Sequence, residues 1–174
     1  MSDKSPASEE VVIKQYPNST HWLEGNQVRA VGNLIVTNKR LVFLRQTVLT
    51  EKEIENTRKL SQEAGTERLI EFALSLHKKN FQVPLSSIVS AKLGFHFMFP
   101  SLKPCMRVSY KTASKKVKTL SFRFTLPFLK RLMMSEFPTL GWIRVINKAV
   151  KAQKRTASQP AHLSRANRQR RRYI

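Results

Sequence analysis

The sequence predicts a mostly β fold with helices, in which the strands form a bent antiparallel sheet. Three observations indicate this class. The segment GNLIVTNKRLVFL, from Gly32 to Leu44, sets two short apolar runs on either side of a polar tetrad, as in a β-hairpin. The segments MRVSYK and LSFRF alternate apolar and polar side chains with the period of a strand. Residues 50–79 and the segment after Thr139 have helical periodicity instead.

The first strands lie around the hairpin segment. We expect a strand from Leu23 to Val31, with a possible turn or bulge at Gly25 and Asn26, then a turn at residues 32–33 and strands over residues 34–37 and 41–44. The dipeptide between the last two strands has two-residue hairpin spacing, and its asparagine tolerates a positive φ. Because these strands are apolar on both faces, we expect a closed or well-covered sheet.

A helical insertion is predicted over residues 50–79. Thr50 and Glu53 fit a capping box, in which the hydroxyl accepts a backbone N–H and the carboxylate reaches back. Gly65 interrupts the helical pattern. The segment that follows has an apolar face formed by Leu69, Phe72, Ala73 and Leu76. We therefore expect a helical hairpin or a bent helix, which either covers the sheet or binds a protein partner.

Strands resume after the insertion. We expect strands at residues 81–83 and 89–95, separated by a turn or a single helical turn from Pro84 to Ile88. The segment FHFMFPSLKP, residues 95–104, is predicted to be an aromatic connection that either folds over the sheet as core or dips into a membrane interface. In the two alternating strands, the inward residues are Met106, Val108, Tyr110, Leu120, Phe122 and Phe124. The last helix, which contains Trp142, ends near residue 151.

Basic residues are unevenly distributed along the chain. The net charge is +21, yet residues 1–71 hold 10 Lys and Arg against 10 Asp and Glu. Residues 72–174 hold 22 basic residues and a single acid, Glu136. Such a field attracts anionic surfaces, namely lipid headgroups, nucleic acid or an acidic protein. We divide the chain into a disordered N-terminus (1–10), one domain (11–151) and a basic disordered tail (152–174).

Several classes of protein are excluded or disfavoured by composition. No apolar run reaches the length of about 18 residues that a membrane span needs, and MSDKSPASEE has no apolar core of a signal peptide. We therefore expect a cytoplasmic protein. Cys105 is the only cysteine and is predicted to be a small core residue. The four histidines are scattered and acidic residues are scarce, so we expect no enzyme, no metal and no cofactor.

The order of these elements resembles that of the GRAM and bacterial PH-like domains. The pieces that carry the resemblance are the hairpin G-x-L-x-x-T-x-K-R-L-x-F from Gly32 to Phe43 and the segment VPLSSI from Val83 to Ile88. The resemblance covers about residues 20–150 apart from the insertion. It implies a seven-stranded, bent antiparallel barrel capped by the C-terminal helix, with the helical insertion between strands 3 and 4.

The resemblance also implies where a ligand binds. The loops between strands 1 and 2, 3 and 4, and 6 and 7 surround the open end, and members with lipid ligands bind headgroup phosphates there. Here the first of these loops is expected near residues 30–33, and Lys39 and Arg40 at the opposite end are expected to be solvated turn residues. The candidate anion-binding residues of the other two loops are Lys78, Lys79, Lys111, Lys115, Lys116 and Lys118.

Three binding hypotheses follow. The first is association with an anionic membrane surface or phospholipid through these lysines, the basic last helix and the basic tail, which would place the protein at the membrane periphery. The second is nucleic-acid binding through phosphates by the tail, whose candidate residues are Arg165, Arg168, Arg170, Arg171 and Arg172. The third is a protein-interaction adaptor that uses residues 50–79.

Overall fold

The fold is an open antiparallel sheet with three helices. The computed structural model describes residues 9–25, 27–63, 65–98, 101–125 and 138–158. The strands are β1 (Val12–Glu24), β2 (Gln27–Thr37), β3 (Arg40–Arg45), β4 (Phe81–Pro84), β5 (Ile88–Met98), β6 (Ser101–Lys111) and β7 (Val117–Phe124). The helices are α1 (Glu51–Glu63), α2 (Thr66–Ser75) and α3 (Pro138–Ser158), and a 3-10 turn spans Leu85–Ser87.

All seven strands belong to one sheet in the order β4-β3-β2-β1-β7-β6-β5. Every ladder is antiparallel, as predicted. Within the described part of the chain, no ladder joins β4 to β5, so the sheet is open there and the predicted closed barrel is not observed. The chain crosses this gap through the 3-10 turn, which confirms the helical turn expected between Pro84 and Ile88.

Helix α3 covers the open edge and the core beneath it. Trp142 and Ile146 are fully buried against the sheet. Asn147 binds the backbone of β5 at Ala91 with both ends of its amide: Nδ2 donates to the carbonyl at 3.0 Å, and Oδ1 accepts the N–H at 3.1 Å. Because the Asn147 side chain already binds the N–H and the carbonyl oxygen of Ala91, these backbone groups are not available to pair with β4. The helix runs on to Ser158, beyond the end predicted near residue 151.

The first two strands are longer than predicted, and the turn between them lies elsewhere. The chain reverses at Gly25, whose φ is +56°, whereas residues 32–33 lie inside β2. Gly32 pairs with Thr20 on one side and with Arg45 on the other. A Cβ at Gly32 would lie 2.0 Å from the carbonyl oxygen of Leu44, so this glycine permits a close approach of two strands. The loop expected near residues 30–33 is therefore a strand segment.

The segment from Phe95 to Pro104 also differs from its prediction as a connection. It forms the end of a long hairpin, in which Phe95 pairs with Pro104 and His96 pairs with Lys103. Phe95 and Phe97 are 56% and 52% exposed, so they do not fold into the core, while His96 is 6% exposed. The pairing of residues 95–98 with residues 101–104 depends on tertiary structure, and the prolines in the sequence had argued against it.

The helical insertion is observed as predicted, as two short helices between β3 and β4. The capping box is present, because Thr50 N–H donates to Glu53 Oε2 at 2.7 Å and Glu53 N–H donates to Thr50 Oγ1 at 3.4 Å. The helices pack on the outer face of β2 and β3, where Ile70 is buried against Ile35 and Val42. The predicted apolar face contained Leu69 and not Ile70. The face of α2 that packs on the sheet is therefore displaced by about one residue from the predicted face.

The main core lies on the other face of the sheet. The residues predicted to point inward from β6 and β7 do so: Met106, Val108 and Phe122 are fully buried. Tyr110, Leu120 and Phe124 are half-buried and pack against them. Phe43 and Phe81 stack with their ring centroids 5.4 Å apart. Cys105 is buried, as predicted.

Candidate anion-binding surface

Three connections of the sheet face the same end of the molecule. The β1–β2 turn follows Glu24, and β3 ends at Arg45, opposite Gly32 of β2. Because Leu23 near the end of β1 pairs with Ser121 of β7, the start of β7 points the same way. The α2–β4 connection reaches this end directly, since Lys79 Nζ donates to the carbonyl oxygen of Arg29 at 3.1 Å. This end is called the basic end below.

The β6–β7 turn brings lysines to the basic end on a tight, internally bonded loop. Lys115 N–H donates to the Thr112 carbonyl at 2.8 Å, and Thr112 N–H donates to the Lys116 carbonyl at 2.9 Å. Lys115 has a φ of +61°, a left-handed conformation that suits glycine or asparagine better than lysine. Lys111, Lys115, Lys116 and Lys118 are all exposed. The turn therefore holds four ammonium groups in water with no acid within its sequence.

The register divides these lysines between the two faces of the sheet. Lys111 pairs with Val117, and both lie on the outer face. Lys118 pairs with Tyr110, whose ring packs against the core, so Lys118 lies on the inner side at the rim. Val117 is 60% exposed between two lysines. The tip thus combines cations with one exposed apolar side chain.

Lys78 and Lys79 lie in a second group of cations after α2. Lys79 N–H donates to His77 Nδ1 at 3.0 Å, and His77 Nε2 lies 2.6 Å from Arg45 Nη1. Desolvation lowers the pKa of His77, and the charges of Arg45, Lys79 and Lys78 lower it further. The cations Arg45, Lys78 and Lys79 thus lie close enough to His77 to act on its ring. The α2–β4 connection therefore contributes cations close to β2, where Lys79 contacts Arg29.

Arg40 is not the solvated turn residue that the sequence predicted. It opens β3, is 8% exposed, and donates through Nε and Nη2 to both carboxylate oxygens of Glu10 at 2.8 and 2.7 Å. Its Nη1 also contacts Glu71 and Gln82. Sequence spacing could not reveal this pair because Glu10 was assigned to the disordered N-terminus, yet Glu10 is 1% exposed. Arg40 is consequently unavailable to an external anion.

A cleft of about 770 Å³ with mixed polar and apolar lining opens on the outer face of β5, β6 and β7. Its wall includes Gly25 of the β1–β2 turn and His96 of β5, which meet where His96 Nε2 lies 2.9 Å from the Gly25 carbonyl oxygen. The charged lining residues are Lys92 and Arg107, and the hydroxyl-bearing ones are Ser90, Ser109, Thr119 and Ser121. The sequence had placed Arg107 outward, but the position of Lys92 beside it depends on the β5–β6 register.

Two further features of the described residues concern metal binding and the cysteine thiol. These residues hold no group of three or more His, Cys, Asp or Glu side chains placed to bind a metal ion. Burial raises the pKa of the Cys105 thiol, although the Arg107 guanidinium opposes that shift, so the thiol is a poor nucleophile. The five tail arginines proposed as a nucleic-acid site lie outside the described residues.

Comparisons with known proteins add no family. No protein-family model matches this chain, and no sequence among the curated proteins matches it. None of the helices in the described ranges is both long and apolar enough to cross a bilayer.

Proposed function

We propose that this chain is a non-enzymatic binding module of the PH-like, GRAM type that associates with anionic membrane surfaces through its basic end. The architectural support is a bent antiparallel sheet of seven strands, a helical insertion between the third and fourth, and a helix over the open edge. The observation that carries the function is the β6–β7 turn, where Lys111, Lys115, Lys116 and Lys118 surround the exposed Val117.

The energetics of the turn suit a charged interface. A lysine near an anionic leaflet contributes about 1 kcal/mol, so four lysines give a useful but salt-sensitive attraction. Lys78 and Lys79 add to it from the other side of the β1–β2 turn. At this end Arg29 is neutralised by Glu24, 2.5 Å away, and so contributes little. Val117 can enter the headgroup region at no cost in fold stability, because it packs against nothing in the core.

The test is vesicle co-sedimentation of the full chain and two charge-matched triple variants. The first variant replaces Lys111, Lys115 and Lys116 by Gln. The control replaces Lys52, Lys148 and Lys151, which are exposed on α1 and α3. With vesicles of phosphatidylcholine and phosphatidylserine, we expect the first variant to bind at least about tenfold more weakly and the control to bind within about twofold of the parent. Equal losses of vesicle binding in both variants would show that binding depends on the net charge of the protein and not on the positions of the lysines.

The other two hypotheses are distinguished in the same experiment. A chain truncated after Ser158 keeps all of α3 and loses the tail, whereas a cut after Ala152 would remove part of that helix. Retention of a nucleic acid by the full chain and not by the truncated one, with no vesicle binding by either, would establish the tail as the functional part. Absence of binding to both at moderate salt would leave the helical insertion, with its cavity of about 490 Å³ against β2 and β3, as the interaction element.

A further inference from the structure

We propose that the outer-face cleft is a specific binding site for a phosphate monoester of a hydroxylated molecule. It is separate from the lysine-tipped turn, which attracts any anionic surface. Lys92, Arg107 and His96 are its charged and polar contacts, and the hydroxyls on β5, β6 and β7 form its floor. The inference goes beyond the proposed membrane association and does not depend on it.

The first argument is an uncompensated pair of cations. Lys92 and Arg107 are direct partners across the β5–β6 ladder, so their side chains leave the same face of the sheet side by side. Like charges directly opposite each other destabilise a sheet. Neither residue has an ion-pair partner in the described ranges, and the nearby Glu24 is bound to Arg29. An anion between Lys92 and Arg107 converts this repulsion into two favourable contacts.

The second argument is that the backbone is shaped to hold Arg107. A Cβ at Gly94 would lie 2.6 Å from Arg107 Nε and 2.7 Å from its Cδ, so the arginine lies flat over this glycine. Arg107 Nη2 donates to the Phe95 carbonyl oxygen at 3.0 Å. The Arg107 guanidinium, which extends from β6, is thus held in place by contacts with β5. Its remaining N–H groups are donors of the planar kind that match phosphate oxygens.

The third argument is the unsatisfied nitrogen of His96. Its Nε2 must donate to Gly25, since a carbonyl oxygen only accepts. Its Nδ1 is shielded from water and has no hydrogen-bond partner in the part of the chain described, which is costly for a buried nitrogen. With Nε2 donating, Nδ1 is an acceptor, and because solvent does not reach it a ligand hydroxyl binds it only after a local shift of the surrounding side chains. A hydroxylated phosphate ester supplies that hydroxyl, and its phosphate lies on Lys92 and Arg107.

The floor of the cleft supplies hydroxyl groups to a ligand, while Leu93, Phe95 and Phe97 add apolar lining. Ser109 Oγ lies 3.1 Å from Thr119 Oγ1 on the neighbouring strand, and Ser121 is the direct partner of Arg107. Hydroxyls both donate and accept, so they solvate either the phosphate or the alcohol groups of the ligand. The volume of about 770 Å³ exceeds that of a single phosphate ion and leaves room for a small polyol.

The first experiment follows the arginine and histidine side chains of the full chain by NMR. Inorganic phosphate and glycerol 3-phosphate are titrated at constant ionic strength, with sulfate as the matched anion. We expect the Arg107 Nε–H and His96 ring signals to shift with both phosphates, with glycerol 3-phosphate binding more tightly. Unchanged signals at millimolar ligand would overturn the proposal, and equal shifts with sulfate would reduce the site to general anion attraction and overturn the ester specificity.

Four variants localise the effect. Arg107→Gln and Lys92→Gln each remove one charge, and each is expected to lower the association constant for glycerol 3-phosphate about tenfold, as for loss of a charge-assisted hydrogen bond. Gly94→Ala keeps every charge but displaces the Arg107 guanidinium, so it should lower the association constant for glycerol 3-phosphate by a similar factor. His96→Gln retains a donor to Gly25 and removes the Nδ1 position. Lys52→Gln on α1 is the charge-matched control and should change binding less than about twofold.

A second set of vesicles separates a lipid source of the ligand from a free one. Phosphatidic acid carries a phosphate monoester and phosphatidylserine does not, so vesicles of either lipid in phosphatidylcholine are compared at equal surface charge. Preference for phosphatidic acid that is lost in Arg107→Gln identifies a lipid headgroup, and glycerol 3-phosphate binding without this preference identifies a free metabolite. Loss of vesicle binding in the β6–β7 triple variant alone tests the membrane proposal independently. If Gly94→Ala and Arg107→Gln both bind like the parent, the cleft is not the site.

Discussion

Two residues occupy positions that are unfavourable for their own side chains. Lys115 occupies a left-handed turn position that its side chain disfavours, and Glu10 is a carboxylate buried beneath the sheet. For each of them, the effect of a single substitution on the stability of the fold can be predicted and measured.

Lys115→Asn is expected to stabilise the fold by about 1 kcal/mol, because asparagine adopts a φ of +61° at lower cost than lysine. Lys115→Gln removes the same charge without this backbone benefit and is the matched control. Urea unfolding of the two variants measures the difference. Equal stabilities would mean that the turn is not left-handed at this residue in solution.

Glu10→Gln is expected to cost about 3–5 kcal/mol, because it leaves the Arg40 guanidinium buried without its carboxylate. Burial raises the pKa of Glu10, but the hydrogen bonds from Arg40 and Thr37 outweigh it and hold the pKa below its ordinary value of 4.5. A depressed folded pKa stabilises the protein above the unfolded value. That contribution is lost as the pH falls below about 4.5 toward the folded pKa.

The measurement is thermal unfolding of parent and Glu10→Gln between neutral and acidic pH. The parent should lose its advantage over the variant below pH 4.5. A constant difference across that range would contradict the assignment of the buried charge to Glu10.

At the scale of elements, the close approach of β2 and β3 depends on a single glycine. Both neighbouring strands pair with Gly32, and its missing side chain admits the backbone of Leu44. The element that looked like two strands and a turn is therefore one strand.

Gly32→Ala is expected to destabilise the fold by at least about 3 kcal/mol, since the added Cβ would meet backbone atoms that cannot rotate away. Gly65→Ala, between α1 and α2, is the control. A Cβ there has only the Glu9 side chain within 4 Å, at 3.9 Å, so little change is expected. Circular dichroism during urea unfolding compares the two, and equal stabilities would show that β2 and β3 are not in close contact.

At the scale of the whole molecule, the excess charge lies in the second part of the chain and the sheet concentrates part of it at one end. The acids of the first part are engaged: Glu10 and Glu71 with Arg40, Glu24 with Arg29, and Glu67 with Lys39. The lysines of the β6–β7 turn have no such partners in their own hairpin. The exposed lysines of this turn therefore present their charge to solvent.

Attraction of this kind must depend on ionic strength. The Debye length falls from about 10 Å at 0.1 M salt to about 3 Å at 1 M, so vesicle binding by the full chain should weaken steeply over that range. Binding of glycerol 3-phosphate in the cleft should weaken less, because its contacts are short and partly shielded from solvent. Co-sedimentation and NMR titration at matched salt concentrations measure the two slopes, and identical slopes would argue against two separate modes of binding.

The sequence alone determined much of the architecture. Periodicity was sufficient for β3, the second half of β6, β7, the capped insertion and the core of α3, because each depends on side chains within one segment. It also predicted the exposed lysines of the β6–β7 turn. It indicated only a possible turn or bulge at Gly25 and placed the turn at residues 32–33, because a glycine followed by asparagine occurs at both positions.

Only the tertiary structure decided the rest, because those features depend on register between distant segments. Lys92 and Arg107 become neighbours through the β5–β6 ladder, and His96 meets Gly25 across 71 positions of the chain. Glu10 is buried because Arg40, 30 positions away, folds over it. The open edge of the sheet exists because Asn147 of α3 occupies the backbone of β5. Pairing of this kind is set by long-range packing and leaves no periodic trace in the sequence.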